Sequence, residues 1–86
     1  MKTIWKYTLE PEAKLSMPEG AKVLSVQVQK EEAQLWALVD SLANKETRHF
    51  ITYGTGHQIP DNPGTYIGTF QFKNMGLVFH VFEQIN

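Results

Sequence analysis

Val23-Leu24-Ser25-Val26-Gln27-Val28-Gln29 is the stretch on which the fold reading turns. Leu24, Val26 and Val28 recur every second residue, and Ser25, Gln27 and Gln29 fill the gaps. Successive side chains leave a strand on opposite sides, so this period of two predicts a strand with one dry and one wet face. Immediately downstream, Lys30-Glu31-Glu32-Ala33 has the charge and length of a four-residue hairpin loop. Gln34 to Asp40 follows, apolar on both faces, and reads as a central strand covered on both sides.

The pattern extends in both directions. Upstream, Lys2 to Leu9 sets Trp5, Tyr7 and Leu9 on one face against Ile4 and the lysines on the other. Downstream, Glu46 to Gly54 alternates Thr47, His49, Ile51 and Tyr53 with Arg48, Phe50 and Thr52. Tyr66 to Lys73 and Leu77 to Glu83 complete six strands, the last two joined by Asn74-Met75-Gly76 with Gly76 in the left-handed position. Two longer connectors remain. Residues 10–22 carry Pro11 and Pro18, and residues 54–65 hold three of the six glycines and two of the four prolines. The expectation is an all-β, six-stranded antiparallel domain over residues 1–86, barrel-like or a sandwich.

Composition narrows the function classes. The chain has 86 residues, 8 Lys plus Arg against 9 Asp plus Glu, a net charge of -1 and no cysteine. A disulfide scaffold and a cysteine-based zinc site are excluded. A polynucleotide partner is not expected, because backbone binding draws on a surplus of basic residues. The longest apolar run, Leu35 to Val39, is too short to span a membrane, and the first residues lack a signal-peptide core. A soluble, cytoplasmic protein is therefore expected. A chain of this size buries only about 60–65 % of its unfolded surface, so a site shared between copies is easier to build than one inside a single copy. That favours a homo-oligomer.

Four features could carry chemistry. Gly54-Thr55-Gly56-His57 brings backbone N–H groups together without Cβ hindrance, as an anion-binding concavity requires, and His57 adds a donor near neutral pH. A plain strand-ending turn would explain the same glycines. Arg48, the only arginine, suits bidentate recognition of a phosphate or carboxylate, or a surface ion pair. His80 interrupts an apolar strand and fits a hydrogen-bonded core, interface or ligand-contacting position. Trp5 and Tyr7 share a face suited to an interface or to stacking on a base, and Trp36 and Tyr66 offer further stacking surfaces. His49, His57 and His80 lack metal-ligand spacing, so no metal or other cofactor is expected. Ser16, Ser25 and Ser41 stand in no nucleophile context and no carboxylate pair is recognisable, so the chain does not read as an enzyme.

The whole chain resembles a small uncharacterised family of phages, prophages and scattered bacterial genomes. Its matching strings are Lys2-Thr3-Ile4-Trp5-Lys6-Tyr7, Met17 to Gln27, Leu35 to Asp40, Gly54-Thr55-Gly56-His57-Gln58-Ile59-Pro60, Tyr66 to Gln71, and Leu77-Val78-Phe79-His80-Val81-Phe82-Glu83. Gln58 stands where that family more often has proline. The resemblance implies no catalytic residues. It implies a phage-type protein that acts on a host component. The functional expectation is a homo-oligomer that sequesters a small anionic ligand, such as a cyclic-nucleotide immune signal, as an anti-defence sponge. Gly54, Thr55, Gly56, His57, Arg48 and His80 would hold phosphate, and Trp5, Tyr7, Trp36 and Tyr66 would stack on a base. The alternative is a protein–protein interaction module that inhibits a host protein.

Overall fold

The computed structural model describes residues 1–85. Seven strands follow one another: β1 (Lys2–Thr8), β2 (Glu12–Pro18), β3 (Lys22–Gln29), β4 (Glu32–Asp40), β5 (Lys45–Gly54), β6 (Thr65–Phe72) and β7 (Leu77–Glu83). A 3₁₀ turn over Lys73–Met75 joins the last two, with Gly76 left-handed at φ 65 as expected. All pairings are antiparallel. They build a three-stranded sheet, β1-β4-β3, and a four-stranded sheet, β2-β5-β7-β6. The shortest axis spans 15 Å, which leaves room for two layers and one thin core between them.

The seventh strand lies where a connector was expected. Residues 10–22 contain β2, whose Ala13, Leu15 and Met17 alternate inward. Pro11 and Pro18 obscured that alternation. Both are tolerated because β2 is an edge strand and Pro18 stands at its last position. The turn at Leu9–Pro11 carries the chain from one sheet to the other. Leu9 N–H donates to Ala33 at 2.9 Å in the first sheet, and Thr52 N–H donates to Pro11 at 2.8 Å in the second. Leu9 itself is buried in the corner.

The inner faces meet as the alternation predicts. Leu35, Ala37 and Val39 of β4 pack with Phe50, Val81, Met17 and Val26. Truncating a fully buried Phe such as Phe50 typically costs about 3–5 kcal/mol. Two expectations need correction. Leu24 does not face the core: a bulge between Val23 and Ser25 turns Val23 inward and leaves Leu24 47 % exposed. β4 is central, but only its inner face is fully covered. Trp36 and Leu38 point away from the second sheet and are half-buried beside Ile4 and Lys6 of β1.

The loop between β3 and β4 is tighter than four residues. Gln29 pairs with Glu32, leaving Lys30 and Glu31 as a two-residue turn at φ 52 and φ 67. Both angles are left-handed, a region that Gly and Asn occupy at lower cost than Lys or Glu. Among the described residues, no helix is long and apolar enough to cross a membrane.

Candidate functional site

The strands define two ends. At one end lie the start of β5, the end of β7 and the β2–β3 connection. At the other lie the end of β1, the β3–β4 turn, the end of β5 and the start of β7. This second end is a mouth between the sheets. A cavity of about 470 Å³ opens there, within the range of small-molecule sites.

The mouth is built from β5 outward. The inward register of Phe50 repeats at Thr52 and Gly54, so a hydroxyl and then a bare backbone follow the core phenylalanine. Thr52 lines the cavity, and its Oγ1 is buried with no hydrogen-bond partner. Phe70, Phe72 and Phe79 form the aromatic wall. Phe70 stacks on Phe79 at 5.6 Å between centroids, and Phe72 stands edge-on to both at 5.8 Å. The His57 ring lies over Gly54, so close that a Cβ there would stand 2.8 Å from its Cε1. Gly54 N–H donates to His57 Nδ1 at 3.3 Å, which leaves the proton of the neutral ring on Nε2. Gly54 is therefore needed for space, and Gly56, at φ 87, for its backbone angle.

Three of the four N–H groups of the Gly54–His57 loop, expected to cradle an anion, are engaged within the chain. Of the loop's N–H groups, that of Gly54 is taken by His57, that of Thr55 by Val78 O at 3.0 Å, and that of His57 by Gly54 O at 3.0 Å. The charge around the cavity is also of the wrong sign. Glu10, Glu31 and Glu32 line it, with no Lys or Arg among the lining residues. None of the three carboxylates has a basic partner within 4.0 Å among the described residues.

The other expected residues are distributed over separate surfaces. Thr55 turns to the outer face of the four-stranded sheet, away from His57. There its Oγ1 meets His80 Nε2 at 2.7 Å, while His80 Nδ1 meets Thr69 Oγ1 at 3.0 Å. Thr69 Oγ1 in turn meets the Tyr66 hydroxyl at 2.5 Å. Phe82 packs edge-on to Tyr53 and Tyr66 at 5.9 and 5.6 Å, and Tyr66 remains 56 % exposed. His80 and Tyr66 thus come together as one hydrogen-bonded patch.

Arg48 goes to the sealed end. Its Nε and Nη2 donate to the two Glu83 oxygens at 2.6 and 2.7 Å, and its Nη1 donates to the Ala21 carbonyl. The Glu83 hydrogen bonds hold the guanidinium pKa above its ordinary value. An arginine engaged on three atoms ties the β2–β3 connection to the sheet. Trp5 and Tyr7 do share a face, but it is the inner one, packed against the core. Lys45 Nζ sits 5.7 Å from the Trp5 ring. The Tyr7 hydroxyl is buried without a partner, and burial pushes its pKa up. Trp36 lies on the far side of the three-stranded sheet. No group of three metal-ligating side chains occurs among the described residues.

Thr52, Thr69 and the three glutamates were not singled out by motif. Thr52 was legible in part, as the one hydroxyl on the inward register of β5 between Phe50 and Gly54. Thr69, Glu10, Glu31 and Glu32 gave no local signal, because only the pairing of distant strands brings them to their sites. A wider groove of about 1130 Å³ runs between β3 and β6, but neither of the two unpaired buried hydroxyls lines it. The mouth is the cavity that Gly54 and His57 line.

No match was found among curated proteins or among solved structures. One family model matches, that of a domain of unknown function, DUF7352, over residues 1–86. The chain therefore belongs to the DUF7352 family.

Proposed function

We propose that this chain is a non-catalytic binding module that takes a small molecule at the mouth between its sheets. The observation that carries this reading is the cavity walled by Phe70, Phe72 and Phe79, with the His57 ring held over Gly54 at its edge. Sequestration needs no turnover, so the lack of a nucleophile or a carboxylate pair is consistent with it. On the phage-type reading that the sequence suggests, the bound molecule is a host component met in the cytoplasm. The anionic, nucleotide-like ligand loses its expected contacts. Arg48 is engaged with Glu83, three of the four N–H groups of Gly54–His57 are engaged within the chain, and three glutamates line the cavity. A fragment screen read by amide NMR tests the proposal. Shifts are expected at Thr52, Gly54, His57 and Phe79 in the native chain and should weaken in Gly54→Ala, whose new Cβ displaces His57. Shifts confined to other surfaces would refute it.

A second reading rests on the patch around His80. Tyr66, Phe82 and Tyr53 present aromatic surface on a sheet face that no other element of the described chain covers. Aromatic side chains with polar tips are common at protein interfaces. On this reading the same face binds a host protein or a second copy of the chain. Light scattering on the native chain and on Tyr66→Ser would detect self-association. A native mass equal to one chain would leave only the hetero-partner form.

A further inference from the structure

We infer that two copies of this chain join along the free edge of β6, with Gly68–Phe72 of one copy pairing antiparallel with Gly68–Phe72 of the other. This goes beyond both readings above, since it uses a sheet edge and neither the mouth nor the outer aromatic face. It starts from a comparison of edges. The two open sheets leave four edge strands, β1 and β3 in one and β2 and β6 in the other. An edge presents a row of unpaired N–H and C=O groups, which folded chains guard with charges or proline. β1 carries Lys2 and Lys6, and β2 carries Glu12, Lys14 and Pro18. β3 has Lys22 at its start and runs into Lys30 and Glu31. β6 carries no charge and no proline, and its Tyr66, Ile67, Thr69, Phe70 and Phe72 are strong strand formers.

The edge is also regular and open. A bulge between Tyr66 and Gly68 is itself a device that ends pairing, but it sits at one end and leaves Gly68–Phe72 in unbroken register with β7. β3 runs along the same flank, where a Cβ on Gly68 would meet Val26. Among the described residues no backbone hydrogen bond joins β3 to β6, and a groove of about 1130 Å³ lies along both.

Charge and register select a second copy as the occupant. The alternating donors and acceptors of an edge are answered by another extended strand. A tract without charge meets no like charge when opposed by itself, whereas β1 turned about Ile4 would set Lys2 against Lys6. A two-fold axis through Phe70 uses the whole regular tract of β6. It sets Phe70 opposite its copy, Gly68 opposite Phe72, and Thr69 opposite Gln71. Each opposed pair then shares a face, Gly68, Phe70 and Phe72 inward and Thr69 and Gln71 outward, so the inner faces stay continuous. Lys73, beyond the tract, comes opposite the Ile67 bulge and not a charge.

Sedimentation equilibrium of the full chain between about 10 μM and 1 mM tests this, a span that covers weak interfaces. The mass is expected to rise toward that of two chains. Gln71→Lys puts a cation at an exposed position of the tract and should weaken association about tenfold, as an edge lysine does. Gln27→Lys, the same change on β3, and Tyr66→Ser, which strips the outer aromatic face, should leave association unchanged. Amide exchange adds a reading by residue: alternate N–H groups within Gly68–Phe72 should gain protection as concentration rises, and those of β1 and β2 should not. A mass of one chain throughout would overturn the inference and leave the mouth standing as a site. So would association that survives Gln71→Lys, or that disappears in Gln27→Lys or Tyr66→Ser. Should Gln71→Lys not fold, the exchange pattern of the native chain decides alone.

Discussion

The two ends of the sandwich are made of the same strands and treat polar groups in opposite ways. At the sealed end, Arg48 meets Glu83 in a bidentate pair and also satisfies the Ala21 carbonyl. Gly64 presses against the Glu83 backbone, and Gln84 donates to Pro63 O at 2.9 Å. At the mouth, Thr52 Oγ1 is unpaired, and three glutamates have no basic partner among the described residues. Buried polar groups are normally paired, so the satisfied end reads as structure, whereas the mouth glutamates are exposed to water and the Thr52 hydroxyl is left sealed and unpaired. The same loop shows the division on a smaller scale. Thr55 closes a hydrogen-bond chain on the outer sheet face, and His57, two residues on, leans over the cavity.

This contrast can be broken at the sealed end first. Gly64→Ala is expected to have the largest effect, a loss of about 3 kcal/mol or more in urea denaturation. Gly64 sits at φ 102, and a Cβ there would overlap the Glu83 carbonyl oxygen, so backbone must move. Arg48→Met comes next. It strands a carboxylate that is only 20 % exposed and should cost about 2–4 kcal/mol, less than a fully buried pair would. Adding Glu83→Leu should recover most of that loss, because the stranded charge is then gone. Amide shifts at Thr52 and His57 should stay unchanged in all three proteins. If they move as far as those around Glu83, the two ends are not independent.

The mouth offers smaller effects of the opposite sign. Lys30→Asn with Glu31→Gly should stabilise the fold by about 1 kcal/mol, since both replacements suit left-handed angles. Lower stability in thermal unfolding would show that the turn is not strained. The smallest effect belongs to the other unpaired hydroxyl, on Tyr7. Tyr7→Phe should leave neutral-pH stability unchanged or raise it by less than about 1 kcal/mol. Burial raises the Tyr7 pKa, so the neutral phenol is the form that the fold favours. Its contribution is complete below the ordinary tyrosine value of about 10 and is lost as pH rises through the raised one. The variant should therefore lose less Tm than the native chain between about pH 9 and pH 12.

Much of the fold was legible in the sequence. Alternation at Lys2–Leu9 and Glu46–Gly54 assigned faces that the structure keeps, including the shared face of Trp5 and Tyr7. Alternation misled where the pleat is broken, at the Leu24 bulge. It was overlooked at Ala13, Leu15 and Met17, where two prolines looked like loop punctuation. The candidate site was less legible. Gly54 and His57 do line a cavity, but Arg48, His80, Trp36 and Tyr66 lie on other surfaces, because residue type says nothing about which strand a neighbour will pair with.

By itself, then, the sequence determined the strand class, most of the inward faces and the turn at Gly76. These follow from a two-residue period and from left-handed backbone angles, both local properties. Only the tertiary structure decided that Arg48 would be spent on Glu83, 35 positions away, and that three glutamates would gather opposite a phenylalanine wall. Sheet order and register are set by contacts between distant segments, and those contacts decide which polar groups find partners and which are left without one.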